Sequence, residues 1–421
     1  MLYSVTQRLM VIVISTILLG IVGDWAVQIP QQATAQPPSP SPSSMQTSTV
    51  DPAFVAANTR FGFKLFAQLL EQNQGENVLI SPSSVSIALS MTYNGASAAT
   101  QEAMQNALEM QGMSLAEINQ ANRALLEAWT SSDPAVQLTV ANSLWGRSGI
   151  NFNPVFLKRN QEFYGAEVTD LNFNDPGAID RINHWVNQQT QGKIDKILNQ
   201  MNPNDILFLI NAIYFKGKWT NPFNPDETLD RPFHQGDGTT ITQPLMTKRG
   251  KFHYLETEQF QAVRLPYGNE RWQMAIFLPK PTSSLNQLTQ SLSHSHWETW
   301  MNQFSSRPGT VQLPRFKVEY GTSLVESLKT IGMELVFDDR QANFGEMSSL
   351  PAYISDVQHK TLLEVNEEGT EAAAATSVAV AVRAALPQPP FQMTIDRPFL
   401  CAIWDEQTGT ILFIGTIQSL T

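Results

Sequence analysis

The sequence predicts an α+β domain, and three observations carry that reading. Helical periodicity is gathered near the start of the chain, strand patterns dominate the later part, and the last two strands are joined by a hairpin turn instead of a crossover helix. Hydrophobic residues make up 42% of the 421 and charged residues 15%, against a usual charged share of about 25%. That is enough apolar material for a sizeable core. Length alone allows two or three domains or one large one, and no internal repeat is present.

The elements follow in order. Residues 1–35 read as a cleaved signal peptide: Arg8 with the terminal amine, the apolar run Leu9–Val22, then Ala33-Thr34-Ala35 ahead of Gln36. The alternative is a retained membrane anchor, but this run is shorter than the roughly 20 residues a span needs, and Asp24 interrupts its extension. Residues 36–50 form a Pro/Ser-rich linker with nothing to bury. The folded part then starts near Asp51 and runs to residue 421. Apolar residues three and four apart predict an amphipathic helix over Ala53–Glu71, and small residues predict a buried one over Ser84–Tyr93. Thr100–Met110 and Ser114–Trp129 read as further helices. Strand patterns occupy Val136–Leu144, Ile206–Phe215, Gln261–Leu265, Trp272–Leu278, Thr310–Val318, Leu362–Val365, Phe399–Trp404 and Ile411–Ile417, the last two joined by the turn Asp405–Gly409.

Composition excludes several functions. With 38 acidic against 27 basic residues the net charge is −11, which repels phosphate backbones and argues against nucleic acid as a partner. The single cysteine, Cys401, excludes an intramolecular disulfide and any multi-cysteine metal site. No Gly-x-Ser-x-Gly elbow, phosphate-binding loop or His-Glu-x-x-His is present. His294, His296 and Glu298 are close in sequence, but a metal site needs more convergent ligands, so they read as a solvated helix start. Glu367 and Glu368, adjacent on a strand, face opposite ways and cannot flank one substrate. No enzymatic activity, cofactor or metal is expected.

One segment is unusual. Between Glu371 and Asp396 the only charged residue is Arg383. Taken two by two, Thr370, Ala372, Ala374, Thr376, Val378, Val380 and Val382 share one face, small at first and then β-branched, as suits a strand packing on a core. Yet Ala372–Ala375 favour helix, and Pro387, Pro389 and Pro390 break any regular element. The stretch is compatible with more than one conformation.

In this context the chain resembles a serpin, a member of the serine-protease inhibitor family. Glu367-Glu368-Gly369-Thr370-Glu371, followed by four alanines and Thr376, is similar to the family's hinge into its reactive loop. Asn211–Trp219 resembles the strand ending in the breach tryptophan, and Ser81–Ser86 the start of the helix under the central sheet. Thr190–Ile194 and Asp396–Leu400 fit as well. The resemblance spans Phe54–Thr421 and implies one domain with three β-sheets, eight or nine helices and an exposed loop at about 367–390. It implies a shutter at Ser81, Ser84, Asn211 and His359, and a breach at Trp219 and Arg315, the latter the basic partner of Glu367. The implied hinge is Glu367, Gly369, Thr370, Glu371, Ala372, Ala373, Ala374, Ala375 and Thr376, and the implied scissile bond is Arg383–Ala384. The chain departs from the family pattern beyond that bond, where Ala384–Arg397 is longer and proline-rich.

The resemblance further implies that a protease attacks the Arg383 carbonyl and is trapped as an acyl-enzyme when the freed loop enters the large sheet. The partner is then a serine protease held in a covalent one-to-one complex, trypsin-like because a guanidinium suits a carboxylate-floored pocket. Cutting at Val382 or Ala384 instead suits elastase-like or subtilisin-like enzymes. A non-inhibitory serpin acting as a binding protein is the other class, but Ala372–Thr376 contain no bulky, charged or proline residue that would block insertion. Leu65–Asn122 contain no Lys or Arg, which argues against activation by a polyanion on that helix. The expected state is a secreted or periplasmic monomer with no stable membrane association once the signal is removed.

Overall fold

The computed structural model describes residues 50–130, 133–369 and 389–420, which fall in one compact unit spanning Ser48–Thr421. The expected signal peptide, the linker up to Thr49, the reactive bond, and the hinge from Thr370 to Thr376 lie outside the described residues.

Helices α1 (Pro52–Gln72), α2 (Pro82–Tyr93), α3 (Ala98–Ala107) and α4 (Leu115–Thr130) come first, interrupted by the short strand β1 (Val78–Ile80). Strand β2 (Val136–Arg147), α5 (Pro154–Tyr164), β3 (Glu167–Leu171), α6 (Ala178–Gln189) and β4 (Leu207–Gly217) follow. Then come β5 (Leu229–His234), β6 (Thr240–Glu256), β7 (Phe260–Tyr267), β8 (Trp272–Pro279), α7 (Leu285–Gln290), α8 (His294–Gln303), β9 (Ser305–Pro314) and β10 (Phe316–Ser323). The last elements are α9 (Val325–Leu328), β11 (Ile354–Val365), β12 (Phe391–Thr394), β13 (Phe399–Asp405) and β14 (Ile411–Ile417). The architecture is α+β, as the sequence predicts.

Local chemistry sets the helices that matter here. Asp51 caps α1, its Oδ1 accepting from the Ala53 amide at 2.8 Å, and Pro52 occupies a position where a missing N–H costs nothing. Phe54, Phe61, Leu65 and Leu69 then bury one face. Every residue of α2 is buried, as expected for a helix of small and apolar side chains. His294 opens α8, with Ser293 as its cap.

The strands form two hydrogen-bonded networks. A five-stranded sheet runs in the order β10-β11-β4-β2-β3, and a nine-stranded one in the order β1-β14-β13-β8-β7-β6-β9-β12, with β5 added beside β6. The three sheets implied by the resemblance are joined here because the 17-residue β6 pairs with β7 at its C-terminal end and β5 at its N-terminal end. Thr310–Val318, expected as one strand, is two. The chain turns at Arg315, so β9 stays in the larger sheet while β10 enters the five-stranded one. Pro314, with no amide to donate, ends the first ladder.

Two cores sandwich the five-stranded sheet. On one side α6 packs Ile182 and Val186 against Ile210, Ala212, Tyr214 and Leu362. On the other lies the main core, where Phe215 meets Tyr267 and Trp272 edge-on at 5.1 and 6.0 Å. Each such fully buried side chain contributes roughly 1.5–3 kcal/mol.

Candidate functional site at the β4–β11 seam

Strands β4 and β11 are parallel neighbours, paired from Ile354/Leu207 to Leu362/Tyr214. Residues beyond that last pair continue both strands without a shared ladder, so the seam between them is closed along its length and open at its upper end.

Asn142, Asn211 and His359 stand in one row across β2, β4 and β11, because register makes Asn211 the partner of both others. All face α2. The Ser81 amide donates to His359 Nε2 at 3.2 Å, so that nitrogen carries no proton and the ring holds its proton on Nδ1. Nδ1–H then donates to Asn211 Oδ1 at 2.5 Å. Asn211 Nδ2 passes the polarity on, to Asn142 Oδ1 at 2.5 Å, to the Ser84 carbonyl at 3.2 Å and to the Ser84 hydroxyl. Ser81, Ser84, Asn211 and His359 are all fully buried. Burial without a countercharge pushes the His359 pKa down to about 3, so the ring is neutral at physiological pH. The Ser81 hydroxyl itself has no partner among the described residues.

The upper end is built differently. Gly369 returns the chain onto the end of β4, bridging Lys218, with φ of 132°. A Cβ at that position would lie 2.1 Å from the Gly217 carbonyl oxygen, so only glycine fits. The carbonyls before it are taken up by the facing segment: the Trp219 amide donates to Glu368 O at 2.8 Å and the Phe223 amide to Glu367 O at 2.7 Å. Trp219 stacks on Tyr267 with centroids 4.2 Å apart, and its indole N–H donates to Asn366 O at 2.9 Å. The Glu367 carboxylate receives Arg315 Nε at 2.7 and 2.8 Å, Arg315 Nη2 at 2.5 Å and the Thr228 hydroxyl at 2.5 Å. Burial pushes its pKa up, but the bonds from Arg315 and Thr228 outweigh this and hold it below the usual range.

The structure thus brings Ser81, Ser84, Asn211 and His359 into one cluster and Trp219, Arg315, Glu367 and Gly369 into another. Thr370, Glu371, Ala372–Ala375, Thr376, Arg383 and Ala384 lie outside the described residues. Sequence reasoning missed Asn142, Thr228 and Tyr267. Each joins its cluster through strand register or packing, for which the sequence carries no local mark.

Comparison with known proteins decides the family. Residues 56–420 match the model described as Serpin (serine protease inhibitor). The chain belongs to the serpin family. This serpin is 33% identical over 382 residues to antithrombin-III of Mus musculus, covering 86% of the chain and 81% of that relative. It is 35% identical over 381 residues to the leukocyte elastase inhibitor of Bos taurus, covering 86% and 98%. Among solved structures, the native thermophilic serpin tengpin superposes with a TM-score of 0.82 at 31% identity, covering 88% of this chain and 95% of tengpin. Human thyroxine-binding globulin superposes with 0.80 at 26% identity, covering 87% and 98%. Proteins similar to this serpin therefore include a leukocyte elastase inhibitor and a thyroxine-binding globulin.

Proposed function

We propose that this serpin is an irreversible suicide-substrate inhibitor of trypsin-like serine proteases, exported by its N-terminal segment and cleaved between Arg383 and Ala384. The protease's serine oxygen attacks the Arg383 carbonyl, the C–N bond to Ala384 breaks, and the new amine of Ala384 leaves with a proton from the protease. Arg383 stays esterified to the enzyme. The freed segment then enters the β4–β11 seam from its open end and carries the protease with it.

The observation that carries this reading is the parallel β4–β11 pair with its chain return at Gly369. A strand entering there after the return runs antiparallel to both neighbours, so two antiparallel ladders replace one parallel ladder, which is the less stable kind per residue. Residues 370–383, at about 3.3 Å each, reach on the order of 46 Å. Val378, Val380 and Val382 add up to roughly 1.5–3 kcal/mol each on burial. The uncut chain is on this account metastable, held by a kinetic barrier.

A second reading is favoured by the likeness to thyroxine-binding globulin: a serpin that binds a ligand and inhibits no protease. The likeness to the leukocyte elastase inhibitor likewise keeps elastase-like targets as an alternative. One experiment separates these. The chain is mixed with trypsin, run on a denaturing gel, and the released peptide is weighed. A complex that survives denaturation together with a peptide starting at Ala384 supports the trypsin-like reading. Clean cutting without a complex rejects it for trypsin. Complex formation with elastase alone moves the bait to Val382 or Ala384.

A further inference from the structure

A cavity of about 630 Å³ lies where the end of α1 meets α7 and β14. Its lining holds one carboxylate, Glu71, and no cation; the other polar groups are neutral amides and hydroxyls. Three other surface cavities each carry charges of both signs. The imbalance follows from the sequence, in which no Lys or Arg occurs from Leu65 to Asn122.

Periodicity turns the lining groups toward the same space. Leu70 and Glu71 lie three and four residues after Ala67, so all three share one face of α1. Leu285 and Thr289, four apart, share one face of α7. On β14, Thr416 is three residues from Phe413, and that odd spacing puts their side chains on opposite faces. Phe413 meets Phe215 of the five-stranded sheet with centroids 6.4 Å apart, so Thr416 faces the helices. Asn77 ties the turn after α1 to the end of β14. Its Oδ1 accepts from the Gln418 and Ser419 amides at 2.6 and 3.0 Å, and its Nδ2 donates to Ser419 O at 2.8 Å.

Two parts of this lining lack the partners their chemistry asks for. Thr416 is only 1% exposed, and its hydroxyl has no hydrogen-bond partner among the described residues. Such a group costs stability unless something entering the cavity bonds it. Glu71 is exposed and forms no ion pair among the described residues. Beside it, the carbonyls of Leu70 and Glu71 accept no hydrogen bond among the described residues, and the last turn of α1 has no basic side chain. A helix C-terminus carries partial negative charge, so helix end and carboxylate both favour a cation here.

We propose that this cavity binds a small aliphatic amino alcohol. The ammonium donates to the Glu71 carboxylate and to the open carbonyls that end α1. The carbon body lies over Leu70 and Leu285, and the distal hydroxyl bonds the Thr416 hydroxyl. A bare divalent metal suits the site less, because one carboxylate leaves most of its oxygen ligands uncharged.

The site is testable without any protease, so its failure leaves the inhibitory reading untouched. The intact chain at pH 7 is titrated with linear aminopentanol, amine and hydroxyl at opposite ends, and followed by saturation-transfer NMR. The matching pentanediol is the control for the cation. A dissociation constant of about 1–10 mM is expected for so small a ligand. Glu71→Gln should weaken binding about fivefold, and Thr416→Val by at least about threefold. Glu71 is exposed, so its variant keeps the wild-type unfolding midpoint. Thr416→Val keeps or raises the midpoint, because the hydroxyl it removes is unpartnered. No saturation below about 50 mM, equal affinity in either variant, or pentanediol binding as tightly as aminopentanol would each overturn the proposal. So would a lowered midpoint in Thr416→Val, which would give that hydroxyl a partner within the protein.

Discussion

The middle and the upper end of the β4–β11 seam are held by opposite kinds of chemistry. In the middle, a neutral histidine and two asparagines form a buried row that carries no formal charge. At the upper end, a carboxylate meets a guanidinium that is 45% exposed, and the strands no longer pair. A buried neutral network is costly to break because every partner it loses stays desolvated, whereas a half-exposed ion pair can trade protein for water. The seam is therefore held more strongly in the middle than at the upper end, where the proposed insertion would begin.

The largest effect expected is from Asn211→Ala. It strips partners from His359, Asn142 and Ser84 at once, and should lower native stability by about 3–5 kcal/mol, read as the first unfolding transition in urea. A loss below about 1 kcal/mol would mean the row is not what closes the seam. Next comes Gly369→Ala, whose Cβ meets the Gly217 carbonyl. A cost of about 1–3 kcal/mol is expected from the strained backbone. Faster hydrogen exchange should be confined to the amides of Trp219 and Phe223, and spread into β4 near Asn211 would contradict the division between the two ends.

Acidification separates the ends without mutation. The folded-state pKa of His359, about 3, lies below its unfolded value of 6.5, so the unfolded chain takes up the proton first. Stability from the middle is thus complete above pH 6.5 and falls as pH drops toward 3, by up to about 1.4 kcal/mol per pH unit. Glu367 is also depressed, but from 4.5, so the upper end is lost only below that pH. Urea midpoints between pH 7 and 5 should fall in the wild type and stay flat in a folded His359→Gln variant. Parallel falls would remove the histidine from the account. The smallest effect is expected from Glu367→Gln, about 1 kcal/mol given the exposure of Arg315, with the Phe223 amide exchanging faster and the Asn211 region unchanged.

Much of this fold was legible in the sequence. The spacing of Phe54, Phe61, Leu65 and Leu69 gave α1, and the Asp405–Gly409 turn gave the β13–β14 hairpin, because both are local patterns. The bend at Arg315 was not read, although the buried positions shift there from Val311 and Leu313 to Phe316 and Val318, one residue out of step. Strand β6 escaped for a related reason. It serves two different neighbours along its length, so its burial follows no single period. At the site, Asn211, His359, Trp219, Arg315 and Glu367 were named through the family resemblance. Asn142 and Thr228 were not, since each becomes a partner only once strands from distant parts of the chain are aligned.

The central claim is that β4 and β11 part to admit the cut loop. Ala212 and Lys360 are register partners across that seam, and neighbouring strands lie within the span a disulfide bridges. The measurement is complex formation with trypsin by the Ala212→Cys, Lys360→Cys double variant, oxidised and then reduced; the native Cys401 is buried away from solvent. The account predicts that the oxidised form is cut as an ordinary substrate and that reduction restores the covalent complex. A complex of equal yield from the oxidised form would show that the loop does not enter between these strands.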